Sequence, residues 1–152
     1  MAKIYVASSW RNAFQPGIVT KLRNAGHEVY DFRAPPHGRG GFHWSEIDPE
    51  YKQWTAKQYI KALRHPISQS GFYSDFNAMK WADTCVLVLP CGRSAHLELG
   101  WMAGAKKRTV ILTWDGEEPE LMALMADKIV STPGELLDYL AVAEKMTKEA
   151  VA

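Results

Sequence analysis

Glu98, inside the stretch SAHLELGW (94–101), is the first residue whose type and setting could do chemistry. It follows an apolar run, Val86–Leu89, a break at Pro90 and a small-residue loop, and its neighbours are Leu97, Leu99 and Trp101. A carboxylate in the first turns of a helix is stabilised by the dipole and by solvent, which is the plain reading. The chemical reading is an anion kept nucleophilic by the helix N-terminus in a pocket with aromatic walls. Asp75 is the second candidate. It stands between Phe72 and Phe76 on a helix-like segment with much apolar surface. Charged groups are seldom buried without a partner, so an exposed helical acid is its plain reading. Two carboxyls converging at a strand end would suit cleavage of a glycosidic bond, one attacking the anomeric carbon and the other handling the proton. Residue order leaves open whether Glu98 and Asp75 converge.

Three further groups could bind a ligand. Ser8, Ser9, Trp10 and Arg11 follow the first strand, where hydroxyls and a guanidinium before a helix could hold a phosphate. Gly92, Arg93 and Ser94 offer the same chemistry ahead of Glu98, and ordinary turn chemistry is the plainer reading of both. Phe42-His43-Trp44 follows a glycine-rich loop; its aromatics could stack on a base or anchor the loop. No P-loop or GxGxxG is present, which argues against nucleoside triphosphates and dinucleotides. His27, His37, His43, His65 and His96 show no metal-ligand spacing, so no metal is expected.

The elements that must position these residues alternate along the chain. Lys3–Ala7 reads as a strand, Pro16 opens a helix that Gly26 ends, and His27–Phe32 is a second strand. Ala34–Gly41, with two prolines and three glycines, reads as a mobile loop. Asp48 is expected to cap a helix with Pro49 at its first position, running through Tyr51, Trp54, Tyr59, Ile60 and Leu63 to a stop at His65-Pro66. A further helix covers Phe72–Trp81. Val86–Leu89 is the third strand, and a helix resumes from about Ser94 to the basic stop at Gly104–Lys107. Thr109–Thr113 is a fourth strand, Asp115–Pro119 an acidic loop, Glu120–Met125 a short helix and Lys128–Val130 a weak fifth strand. A last helix starts at Thr132–Glu135 and runs to about Lys148, with a frayed end. Strands and helices in alternation imply a three-layer α/β sandwich with a mostly parallel sheet of about five strands, in a flavodoxin-like order.

Composition sets the class. The chain has 152 residues, enough for one domain over 1–152 with a sizeable core. Its net charge of +1 gives no electrostatic grip on nucleic acid or an anionic membrane. No apolar run nears the ~20 residues of a membrane span, and the N-terminus reads as a strand, not a signal peptide. Cys85 and Cys91 are too far apart on an extended strand to bond to each other. A cytoplasmic location is expected.

Taken in order, KIYVASSW, GFYSDFNAMKWADTCVLVLP, SAHLELGWMAG and PELM resemble the nucleoside 2-deoxyribosyltransferase family across nearly the whole chain. The resemblance implies a flavodoxin-like fold that assembles as dimers or larger homo-oligomers, each site completed by a neighbouring subunit. It implies cleavage of the N-glycosidic bond of 2-deoxyribonucleosides through a covalent deoxyribosyl-enzyme, with the sugar passed to another nucleobase. In a hydrolase branch water takes the sugar, and the substrate is a nucleoside 5′-monophosphate. No cofactor is implied. By motif, Glu98 matches the nucleophile, Tyr5 the tyrosine that orients it, and Asp75 the aspartate near the base. The chain departs from the transferase pattern twice. Cys91-Gly92-Arg93-Ser94 stands where transferases carry an acidic loop, and Glu120 stands where they carry an asparagine from the neighbouring subunit. Losing an acid and gaining an arginine would favour a 5′-phosphate over a free hydroxyl. A third reading is a non-catalytic nucleotide-binding module, since fold does not dictate function.

Overall fold

Short β-rich runs supply five strands: β1 (Lys3–Ala7), β2 (Glu28–Asp31), β3 (Thr84–Val88), β4 (Arg108–Leu112) and β5 (Lys128–Val130). The structure, a computed structural model, describes residues 1–38 and 40–151, without the side chains at 147, 148, 150 and 151. Arg39 in the glycine loop and Ala152 therefore lie outside it, and the last helix runs on to Val151 where a frayed end was expected. The strands form one sheet in the order β2-β1-β3-β4-β5, with every pairing parallel. This is the doubly wound flavodoxin-like order, and it reverses between β1 and β3, where such sheets bind ligands.

Side chains alternate across the sheet. Ile4, Val6, Val86, Val88, Val110 and Leu112 face α1 (Gln15–Asn24) and α5 (Pro133–Val151), meeting Ile18, Val19, Leu22, Leu136 and Leu140. Tyr5, Ala7, Cys85, Leu87 and Ile111 face α3 (Pro66–Trp81) and α4 (Arg93–Gly104), meeting Ala78, Met79, Leu99 and Met102. All five residues of β3 are buried. Each fully buried Val or Leu in these layers contributes roughly 1.5–3 kcal/mol, so the sheet is a firm base for what stands on it. Cys85 and Cys91 are both free thiols.

Local chemistry moves several boundaries. The helix expected from Pro49 to Leu63 is two pieces. Asp48 accepts the N–H of Glu50 (2.9 Å) and the indole N–H of Trp54 (2.6 Å), so only a 3-10 turn forms at Tyr51–Gln53. Trp54 then leaves the helical region at ψ 138°, and Thr55 restarts the chain as α2 (Ala56–Ala62). Its capping box is complete: Thr55 Oγ1 accepts from Gln58 N–H (3.3 Å) while Gln58 Oε1 accepts from Thr55 N–H (2.8 Å). The Phe72–Trp81 helix begins earlier, at Pro66, capped by His65 Nδ1 on Ile67 N–H. Leu121–Met125 is a 3-10 turn rather than an α-helix.

Two glycines let the long β2–α2 connection lie close to the body of the fold. A Cβ on Gly41 would overlap the Phe32 carbonyl and the Trp10 ring. A Cβ on Gly71 of α3 would come 2.8 Å from Phe42 Cβ. Phe42 thus seats on α3 and leads into Trp44, whose ring meets Phe42, Trp54 and Tyr59 at centroid distances of 4.8–5.9 Å. Among the described residues no helix is long and apolar enough to cross a membrane.

Candidate active site

Four elements bring the candidate acids together. Tyr5 sits mid-β1 and is buried, and its register partner on β2 is Tyr30. Residues paired in a parallel sheet share a face, and the two rings stack with centroids 5.5 Å apart and planes 11° from parallel. On that face α3 delivers Asp75 and α4 delivers Glu98, both half-buried. The Tyr30 hydroxyl donates to Asp75 Oδ1 (2.8 Å) and shares a hydrogen bond with Ser74 Oγ (2.9 Å). Ser74 Oγ also lies 3.0 Å from His37 Nε2, on the glycine loop. The Tyr5 hydroxyl acts on Glu98 and favours its ionised form.

The electrostatics follow from burial. Glu98 is pushed up to about 7, first by desolvation and then by the charge of Asp75, with the Tyr5 hydroxyl pulling the other way. Asp75 is raised by desolvation too, against the Tyr30 hydrogen bond and the nearby His37, which lower it. The Tyr5 and Tyr30 hydroxyls are raised by burial and by the acids, so both stay protonated donors. Cys85 and Cys91 are also raised by burial and by Glu98, Cys91 to about 12, so neither is a thiolate nucleophile at neutral pH.

The β1–α1 loop lies beside the β3–α4 loop. Ser8 Oγ donates to the Val88 carbonyl (2.9 Å). Asn12, 2% exposed, donates to the carbonyls of Val88 and Pro90, 3.0 Å each, while its own carbonyl takes the N–H groups of Phe14 and Gln15. Arg33 Nη2 donates to the carbonyls of Ser9 (3.1 Å), Trp10 (2.7 Å) and Asn12 (2.9 Å), holding the loop from the β2 side. Ser9 Oγ accepts from Arg11 N–H. Trp10 packs edge-on against Phe32 and leans on His43 at 4.3 Å. Arg11, Arg93 and Ser94 are exposed. Gly92 is the N-cap of α4, which has no side-chain cap and no acid in its first turn.

The remaining candidates stand apart in their contacts. Phe42 and Trp44 belong to the aromatic cluster that fastens the β2–α2 connection. Glu120 is exposed and caps its own 3-10 turn through Met122 N–H (3.0 Å). Among the described residues no group of three or more His, Cys, Asp or Glu is placed to hold a metal ion.

Sequence reasoning missed Tyr30, Ser74, His37 and Arg33. Tyr30 had a signal: aligning KIYVA with HEVYDF as parallel neighbours sets it beside Tyr5. The other three had none, because each meets its partner across more than twenty residues of intervening chain.

No protein-family model matches the chain, and no curated protein sequence matches it. Solved structures do. A 2-deoxyribosyltransferase from the psychrotolerant bacterium Bacillus psychrosaccharolyticus aligns with a TM-score of 0.56 and 20% identity, covering 90% of each chain. A conserved protein from Enterococcus faecalis aligns with a TM-score of 0.56 and 17% identity, over 91% of this chain and 96% of that one. A CMP N-glycosidase from Clostridium botulinum aligns at 0.48 and 16%, over 91% and 97%. At these identities the likeness is one of architecture, and this chain has the α/β flavodoxin-like fold of the 2-deoxyribosyltransferase structure.

Proposed function

We propose that the chain is a member of the nucleoside 2-deoxyribosyltransferase family. In this reading it cleaves the N-glycosidic bond of a 2-deoxyribonucleoside and passes the sugar to another nucleobase. One observation carries the proposal: Glu98 and Asp75 lie together on one sheet face beside a stacked tyrosine pair, with Tyr30 donating to Asp75 and the Tyr5 hydroxyl favouring ionised Glu98. Glu98 attacks C1′ from the side opposite the base. The C1′–N bond breaks, its electron pair leaves with the base, and Asp75 supplies the proton. Tyr5 keeps part of the Glu98 population ionised against desolvation. The acceptor base then attacks C1′ of the glycosyl ester, yields its N–H proton to Asp75, and frees Glu98. Two inversions leave the anomeric configuration unchanged.

The test is base exchange between a deoxynucleoside and a free acceptor base, followed by chromatography. Glu98→Ala is expected to lose activity by about a thousandfold or more. Exchange at the parent rate would remove Glu98 from the mechanism.

A second reading, hydrolysis of a nucleoside 5′-monophosphate, is favoured by the N-terminus of α4. Its first N–H groups lack a side-chain cap, no acid stands in the first turn, and Arg93 and Ser94 are exposed there. A helix N-terminus with an arginine suits a phosphate. Base release from the monophosphate without an acceptor, and none from the nucleoside, would choose this reading. Equal turnover of both, indifferent to Arg93→Ala, would reject it.

We also propose that a second copy of the chain covers the α3–α4 face. Phe72, Tyr73, Leu97 and Trp101 are exposed on α3 and α4, and Leu121 and Leu124 on the 3-10 turn whose Ala123 packs on the same side of the sheet, more apolar surface than isolated side chains explain. A monomer in sedimentation would dismiss it.

A further inference from the structure

We infer that His37, Ser74 and Tyr30 form a two-way proton relay between Asp75 and the surface. The inference rests on the reading of Asp75 as the group that protonates the departing base. The chain of contacts is continuous: His37 Nε2 to Ser74 Oγ 3.0 Å, Ser74 Oγ to Tyr30 hydroxyl 2.9 Å, Tyr30 hydroxyl to Asp75 Oδ1 2.8 Å. All three lie in the range of well-formed hydrogen bonds. One end is exposed, since His37 sits on the loop that Gly38 (φ +74°) and Gly40 (φ +70°) turn at the site's rim. The other end is the half-buried carboxyl.

The chemistry suits the geometry. Imidazole is the side chain that exchanges protons with water between pH 5 and 8. Its Nε2–H proton passes to Ser74 Oγ, the serine hydroxyl proton passes to the Tyr30 oxygen, and the Tyr30 proton passes to Asp75 Oδ1. The net change is imidazolium plus carboxylate to imidazole plus carboxylic acid, with both hydroxyls restored. When the acceptor base or water attacks and yields a proton to Asp75, the same chain runs backward. Either oxygen of the Ser74–Tyr30 pair can donate, so neither direction needs a rearrangement. Burial holds the Tyr30 hydroxyl well above its ordinary range, so it works by concerted exchange and not through a tyrosinate. Tyr5 from β1, Tyr30 from β2, Cys85 from β3, Cys91 from the β3–α4 loop and His37 from the glycine loop are, among the described residues, the titratable groups around the Asp75–Glu98 pair. Of these, His37 is the exposed member. It acts through Asp75 and does not itself touch the reacting atoms.

The relay is tested by a choice of leaving group. Two donors are compared, 2′-deoxyadenosine and the 2-deoxyriboside of 4-nitroimidazole, each as nucleoside and as 5′-monophosphate. Adenine departs with a proton, whereas the nitroimidazole departs as a stable anion. His37→Gln, Ser74→Ala and Tyr30→Phe are each expected to slow kcat on the adenine donor about ten- to a hundredfold. Their loss on the nitroimidazole donor is expected to be at least about tenfold smaller, since that leaving group bypasses general acid catalysis. Ser74→Thr restores the hydroxyl and recovers the adenine rate, and His37→Gln moves the pH profile of kcat. Equal losses on both donors would reduce the three residues to structural supports and overturn the relay alone. So would a His37→Gln enzyme with the parent's rate and pH profile. A parent protein inert toward every donor would sink the cleavage reading, and the relay with it.

Discussion

Glu98→Gln is expected to make the protein more stable above neutral pH while stopping turnover. Desolvation and the neighbouring Asp75 hold the Glu98 carboxyl at about 7, against an ordinary 4.5. The folded state therefore grips this proton more tightly than the unfolded chain does. Between pH ~4.5 and ~7 it binds more protons than the unfolded state, so stability falls as pH rises through that window. Above it the anion's burial is uncompensated by about 3 kcal/mol, at ~1.4 kcal/mol per tenfold. Partial exposure and relaxation of Asp75 lower the recoverable part to about 2 kcal/mol. Glutamine keeps the size but carries no charge. Urea unfolding at pH 8, with m about 2 kcal/mol/M, should show a midpoint about 1 M higher than the parent's. At pH 4, where the parent carboxyl is protonated in both states, the two curves should converge. A stability difference that is constant from pH 4 to 8 would refute the claim that Glu98 is a strained anion. In the same frame, kcat/KM of the parent should fall with acid below about pH 7 as the attacking carboxylate is lost.

Tyr5→Phe removes the hydroxyl that lowers the Glu98 pKa, so the acid limb of kcat/KM should move to higher pH and the rate at pH 6 should drop roughly tenfold. An unmoved limb in the pH–rate profile would mean that Tyr5 only packs. Asn12→Ala strips two N–H groups of their acceptor and two carbonyls of their donor at a buried site, which should cost about 3 kcal/mol. Thermal unfolding should fall by about 6–12 °C; a fall of a degree or less would mean that water replaces the side chain there.

How far the chain could be read from its residues depended on the range of the forces involved. The five-strand parallel sheet was legible because short β-rich apolar runs and a helix's three-to-four spacing are written within a dozen neighbours. KIYVA, TCVLV and TVILT carry that pattern openly, and Gly26 and Pro66 punctuate it. The identities of Glu98 and Asp75, and the motifs around them, were legible for the same reason. The break of the Pro49–Leu63 helix was harder. It turned on Asp48 choosing the Trp54 indole and on Thr55 pairing with Gln58, two local bonds that compete on nearly equal terms with a continuous helix.

The sequence by itself thus determined the class of fold, the order of its elements and the kinds of side chain available for chemistry. Only the tertiary structure decided that Tyr5, Tyr30, Asp75 and Glu98, drawn from β1, β2, α3 and α4, share one side of the sheet. It also decided that Ser74 and His37 connect them to the surface. The physical reason is that a carboxyl's type is a property of one residue, whereas its proton affinity depends on what excludes water from it. Glu98 reads as an ordinary helical acid until β1 and α3 close around it. Packing then lifts it from a carboxylate of the usual strength to one poised near neutral pH.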